Sequence, residues 1–236
     1  MDIRPYLLAA LTEMNLQISD KAYERFNKYA QLLADYNEKV NLTAITDERG
    51  IAEKHFADSL SLLRYADIPD GARLLDVGTG AGFPGLALMC VREDIRAVLI
   101  DGTGKKLDFV RLAAKELGLN PTVIHIRAEE AGRDPALRES FDIVTARAVA
   151  DLRVLCEYCL PFVKPGGAFL AMKGGACGDE LEDAAHAIDV LGGKAERIDT
   201  FSLGSNGERS IITVRKISQT PPKHPRASTQ ISKKPL

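Results

Sequence analysis

Three features of the chain predict a doubly wound α/β fold, with a mostly parallel sheet and a helical N-terminal extension. Short apolar runs alternate with helical stretches from residue 73 onward, glycines cluster at one strand-to-helix junction, and an amphipathic helix precedes both. That helix runs from Ser19 to Val40, where Tyr23, Phe26, Ala30, Leu33 and Asn37 recur at spacings of three and four. Ser19 or Asp20 caps it. A looser segment with NLTAI leads to a second helix around HFADSLSLLRYA, and IPDG at 68–71 breaks the chain. Five strands follow: RLLDV at 73–77, RAVLID at 96–101, TVIHI at 122–126, FDIVTA at 141–146 and AFLAM at 168–172. KKLDFVRLAAKELG, between the second and third, shows one buried helical face in Leu107, Val110, Ala114 and Leu117. ERIDTFSL and SIITVRK read as two further strands, antiparallel. The expected division is a helical cap at 1–70, a ligand-binding α/β domain at 71–217 and a basic, proline-containing tail at 218–236.

Composition narrows the function classes. The 236 residues are 45% hydrophobic and 27% charged, ordinary values for a globular protein. The longest aliphatic or sulfur-containing run, Leu86 to Val91, is far short of the ~18 residues of a membrane span. MDIRPYLLAAL at the start lacks the pattern of a secretory signal, so a cytoplasmic globular protein with no membrane partner is expected. A monomer is expected as well. Cys156 and Cys159 form a C-x-x-C, but Cys90 and Cys177 stand alone and the four histidines are scattered. Leu152, Leu155, Cys156, Cys159 and Leu160 share helical spacing, so the thiols read as core and no metal site is expected.

Charge is unevenly spread. Seven basic residues lie from Arg209 onward and no acid follows Glu208, whereas the rest of the chain holds 24 basic against 33 acidic residues. The end is either an electrostatic handle for a polyanion or a solvated terminus. Pro221, Pro222, Pro225 and Pro235 predict that its last part is extended rather than helical.

The chemistry concentrates in LLDVGTGAGFPG, residues 74–85. A strand ends at Val77 and a helix begins near Pro84, a good first helical residue. The glycines between them let backbone approach a ligand, and the helix start offers free N–H groups. Gly80, Gly82 and Gly85 satisfy G-x-G-x-x-G, the dinucleotide fingerprint, and Asp101 ends the next strand where a ribose would be bound. Asp76, Gly78, Gly80 and Gly82 also spell D-x-G-x-G-x-G, which resembles the S-adenosylmethionine (SAM) loop of Rossmann-like methyltransferases. Asp101 serves either cofactor. Asp76 discriminates: an acid there suits the cationic end of SAM and repels a pyrophosphate. SAM is the reading this favours, with an NAD-dependent oxidoreductase as the alternative.

YNEKVNLTAI, HFADSL, LLDVGTGAGFPGL, RAEE, FDIVTARAVA, CLPFVKPGG, AMKG and TPPKHPR follow one another between Tyr36 and Leu236. In these motifs, their order and their spacing the chain resembles the bacterial small-subunit ribosomal RNA guanine-N7 methyltransferases, the RsmG or GidB family. Ser228, Thr229, Gln230 and Ile231 depart from it, standing where relatives have a Pro-Gly-x-Pro turn, so no tight turn is expected there. The resemblance implies a Rossmann-like class I methyltransferase fold, SAM as cofactor, and 16S rRNA or the small ribosomal subunit as partner. It also implies cofactor contacts at Gly78, Phe83, Ala128 and Glu129, and places Arg147 against both cofactor and target nucleotide. Lys173 would neutralise a phosphate or orient the base, beside Arg127 and Arg209 as RNA contacts. Arg147 and Lys173 are then the residues that position the reacting groups. Asn41, His55 and Asp58 belong to the same motifs and read first as interhelical hydrogen-bonding groups. Guanine N7 attacks through a free lone pair and loses no proton, so no general base is expected. Alignment, worth up to roughly 7–11 kcal/mol, would carry the catalysis. A non-enzymatic RNA-binding module remains the other alternative.

Overall fold

The computed structural model describes residues 1–147, 150–175, 177–204 and 207–236. The N-terminal part is helical: α1 (Arg4–Glu13), α2 (Asp20–Asn37), α3 (Glu48–Gly50), a π-helical stretch Ile51–Ala57, α4 (Asp58–Leu60) and α5 (Leu62–Tyr65). Ser19 caps α2, its hydroxyl accepting from the Ala22 amide. The single helix expected over 55–66 starts earlier and contains a π segment.

Seven strands form one sheet in the order β3-β2-β1-β4-β5-β7-β6. They are β1 (Arg73–Val77), β2 (Arg96–Asp101), β3 (Thr122–His125), β4 (Phe141–Arg147), β5 (Val163–Gly174), β6 (Gly193–Ser202) and β7 (Glu208–Lys216). The first five are parallel; β7 runs antiparallel to both β5 and β6. β5 outgrows the expected AFLAM because it pairs with Phe141 at one end and with Arg209 at the other. The connecting helices are α6 (Gly85–Met89), α7 (Gly104–Leu117), α8 (Ala128–Ala131), α9 (Leu152–Cys159) and α10 (Gly178–Val190). Pro84 stands at the N-cap of α6, so the helix starts at Gly85, one residue after the expected start. Among the described residues no helix is long and apolar enough to cross a membrane.

Alternation along the strands divides the core in two. Leu74 and Leu99 join a cluster that runs without interruption into the cap, through Phe26, Tyr29 and Phe56, whereas Leu75 and Val144 pack with α9 and α10. Cys156 and Cys159 are buried free thiols on the inner face of α9.

The chain end is docked and partly helical, not extended. Glu157 is fully buried on α9 and accepts from Arg226 Nη2 at 2.6 Å and from the Arg226 amide at 2.8 Å, with His224 Nδ1 2.9 Å away. Burial pushes the Glu157 carboxyl up, and these partners more than offset it, leaving it below its ordinary value. Arg138 and Arg133 hold the carbonyls of Thr220 and Pro225. The prolines bracket a stretch free of them, and there α11 (Ser228–Lys233) forms, with Ile231 fully buried.

Candidate active site

The strand order reverses between β1 and β4, where open α/β sheets bind ligands beyond the carboxyl ends of the strands. Val77 is registered with Ala146, so the loop after β1 and Arg147 at the end of β4 lie side by side. The loop is fixed from within. Gly78 and Thr79 amides donate to the Ile100 carbonyl at 2.9 and 3.0 Å, and Gly80 N donates to Asp101 Oδ2 at 3.0 Å. Gly80 has φ +58°, and a Cβ there would meet nothing closer than 4.0 Å. Gly82, at φ +94°, is tight: a Cβ would stand 2.3 Å from the Tyr29 hydroxyl.

A cleft of about 490 Å³ opens over this loop, within the ~300–1,000 Å³ range of small-molecule sites. Gly78, Gly80, Phe83, Asp101, Arg127, Ala128, Glu129 and Arg147 line it, so most of the expected site residues are brought together. Four others do not line it. Asp76 is buried behind the loop, accepting from Thr79 Oγ1 at 2.7 Å, Gly85 N at 2.9 Å and Thr145 Oγ1 at 3.0 Å. The carboxylate expected beside a cationic cofactor end thus ties β1, β4 and α6 together, and burial raises its pKa against those three bonds. Gly82 lies against Tyr29 and Leu86. Lys173 Nζ donates to Glu180 Oε1 at 2.5 Å and the Ala150 carbonyl at 2.7 Å, at the edge where β5 pairs with β7. Arg209 Nε lies 3.4 Å from Asp58 Oδ1.

Arg147 is largely buried and its guanidinium stands 5.2 Å from the centre of the Phe83 ring. Its Nη1 donates to Asp58 Oδ2 at 2.8 Å and to the Lys54 carbonyl at 3.1 Å, tying the sheet to the cap. His55 stacks on Phe83 with centroids 4.7 Å apart and 7° between planes, while its Nε2 lies 2.9 Å from Thr43 Oγ1. Burial first, then Arg147 and Lys54, push His55 down to about 3, so it is neutral at physiological pH. Sequence reasoning missed Tyr158 and Lys106, which also line the cleft. Tyr158 sits on α9 beside residues recognised only for their buried face, and nothing in its local pattern marks it.

The cleft fits the nucleoside and amino-acid parts of SAM. Asp101 gives one oxygen to Gly80 N and the other to Thr103 N at 2.7 Å, which leaves each a lone pair for a ribose hydroxyl. Glu129 opens α8 at the next strand end, and the space over Gly80 admits close approach of a ligand. Among the described residues no group of three or more His, Cys, Asp or Glu is placed to hold a metal ion.

Comparison with known proteins agrees with this geometry. The family model described as GidB, rRNA small subunit methyltransferase G, matches residues 22–212. Curated relatives named ribosomal RNA small subunit methyltransferase G match along nearly the whole length. The protein from Exiguobacterium sibiricum is 45% identical, over 97% of both chains. That from Desulfitobacterium hafniense is 46% identical, over 98% of this chain and 97% of its own. Among solved structures, a SAM-dependent O-methyltransferase from Thermotoga maritima superposes with TM-score 0.56 at 15% identity, covering 80% of this chain and 73% of that one. TrmN from Thermus thermophilus gives 0.53 at 21%, over 67% of this chain and 48% of its own. The two structures share the fold. With a match across 22–212 and full-length relatives above 40% identity, the chain belongs to the rRNA small subunit methyltransferase G family.

Proposed function

We propose that this protein transfers a methyl group from SAM to N7 of a guanosine in small-subunit (16S) ribosomal RNA, in the cytoplasm where subunits assemble. Family membership carries the SAM-dependent methylation of small-subunit rRNA and replaces both the oxidoreductase and the non-enzymatic alternatives. One observation supports the choice of N7: the cleft joins an acidic end, Asp101 and Glu129, to a cationic end, Arg147 over Phe83, and the histidine stacked on Phe83, with its pKa pushed down to about 3 and its Nε2 against Thr43, is a poor proton acceptor. A nucleophile that must lose a proton would need a base there. N7 needs none.

When bound, SAM supplies a methyl group made electrophilic by its sulfonium. The residues of this chain bind and align. Asp101 accepts the ribose hydroxyls, Glu129 meets the adenine end, and the open face of Gly80 lets the chain of the cofactor lie close. Arg147 acts from the side by positioning, because guanine becomes cationic on N7 methylation and a guanidinium aimed at N7 would oppose it. Arg127, exposed at the cleft rim after β3, meets the RNA backbone, and Lys173 on β5 and Arg209 on β7 are the contacts on the opposite side of the switch point. The test is incubation with labelled SAM and small-subunit rRNA, both free and assembled, followed by mapping of the modified nucleoside. Label on N7 of one guanosine is expected. Label on another atom would refute N7, and no transfer to either substrate would refute the whole reading.

A further inference from the structure

Asp58 stands at the junction of cap and sheet, with its side chain only 9% exposed, between two arginines. Oδ2 accepts from Arg147 Nη1 at 2.8 Å, and Oδ1 lies 3.4 Å from Arg209 Nε. Arg147 Nη1 also meets the carbonyls of Lys54 and His55, at 3.1 and 3.3 Å, and Ser59 Oγ at 3.4 Å. Both carbonyls belong to the π-helical stretch Ile51–Ala57, a rare geometry that in proteins often marks functional positions. Every hydrogen bond of Arg147 among the described residues is therefore made by one nitrogen. Nη2 and Nε, the parallel pair of the guanidinium fork, are left for a molecule in the cleft that Arg147 lines.

We infer that Asp58 is a positioning residue for methyl transfer. By fixing Nη1 it sets the plane of the Arg147 guanidinium over Phe83, so that Nη2 and Nε are presented as a rigid two-point donor to a single acceptor atom such as O6 of the target base, leaving N7 free. Arg209 holds the other carboxylate oxygen and keeps Asp58 from turning. The charge balance separates this role from simple attraction of RNA. The Asp58 carboxylate offsets part of the positive charge of the two guanidiniums, and neutralising it removes that offset. Loss of Asp58 therefore strengthens the pull on a polyanion while loosening the fork.

The inference rests on the proposed methylation, and its test has one arm that needs no turnover. In nitrogen-15 spectra of the whole protein, the Arg147 guanidinium, assigned by its loss in Arg147→Lys, is expected to show resolved Nη signals from hindered rotation. In Asp58→Asn those signals are expected to collapse. Freely rotating Arg147 in the parent protein overturns the inference whatever the activity. In single turnover, Asp58→Asn is expected to lose about 10- to 100-fold in rate, with SAM bound as tightly as before and RNA at least as tightly. Arg147→Lys is expected to fall as far, and the double variant no further, since both changes remove one arrangement. Should Asp58→Asn fail to fold, Asp58→Glu keeps the charge between the arginines and shifts the carboxylate by one methylene, with the same loss expected. A full rate in either Asp58 variant, or losses that multiply in the double variant, overturns the inference. A parent protein that transfers no methyl group defeats the proposed function instead.

Discussion

The Tyr29 hydroxyl on α2 donates to the Ala81 carbonyl inside the glycine loop, so a residue of the helical cap forms part of the wall behind the cofactor site. Its ring stacks on Phe83 at 5.3 Å and 16°, and Phe83 in turn stacks on His55. Burial holds the Tyr29 phenol well above its ordinary pKa, so it remains a donor. The cap and the loop thus act as one packed unit.

Tyr29→Phe is expected to keep the stack and remove the donor from a buried carbonyl. The cost should be about 1–3 kcal/mol in urea unfolding, with weaker SAM binding in calorimetry. An unchanged SAM affinity would show that the loop holds its shape without the cap.

Alanine at Gly80 and at Gly82 should behave differently. At Gly80 the Cβ enters open space on the cleft side, so the protein folds with a loss of about 1–2 kcal/mol from the left-handed backbone, and SAM binding falls. At Gly82 the Cβ would also lie 3.0 Å from Leu86 Cβ, and overpacking added to strain should cost about 2–5 kcal/mol. Equal melting temperatures for the two variants would contradict this division.

Stability should fall on mild acidification because of His55. Its folded pKa of about 3 lies below the ordinary 6.5, so between these values the unfolded chain holds the extra proton and stability rises with pH. From pH 6.5 down to 5, above the carboxylate range, the loss is about 1.5 kcal/mol. Urea melts of the parent and of His55→Gln check it: the variant should lack this increment.

The chemical step should not titrate over the same range. With SAM and RNA saturating, the single-turnover rate is expected to stay nearly flat from about pH 6 to 8.5, since His55 is neutral throughout and N7 carries no proton. A log-linear rise that one Asp, Glu or His substitution abolishes would reveal a general base.

Three exposed cations, Lys223, Lys233 and Lys234, ride on the docked tail, whereas Arg226 is held by Glu157. Changing the three lysines to glutamine should lower RNA affinity and flatten its salt dependence by up to about 2 in log–log slope, leaving SAM affinity unchanged. Deleting residues 221–236 is a harsher test, because it strips a buried carboxylate of its partners at a cost of about 3–5 kcal/mol. An identical salt slope in the triple variant would make the tail a purely structural clasp.

Much of this architecture could be read from local pattern. Strands β1, β2 and β4 are buried on both faces, which favours near-continuous apolar runs, and RLLDV, RAVLID and FDIVTA supply them apart from Asp76 and Asp142. The glycine loop was equally plain, since its backbone requirements are met within a few residues. With β1 and its loop located, the carboxyl end of the sheet follows, and with it Asp101, Glu129 and Arg147 at neighbouring strand ends. The family motifs added the chemistry, which fold alone does not contain.

The partners of the charged side chains were decided only by tertiary structure. Asp76 points away from the cleft because the pleat of β1 turns it toward α6, a choice of face that the loop motif does not record. Lys173 is committed to Glu180, Arg226 to Glu157, and Arg147 to Asp58, 89 residues away in sequence. The proline-rich end became a clasp because a buried glutamate awaited it. Apolar periodicity is a property of consecutive residues and survives in the sequence, but a salt bridge depends on a few ångströms between segments that meet only once the chain has folded.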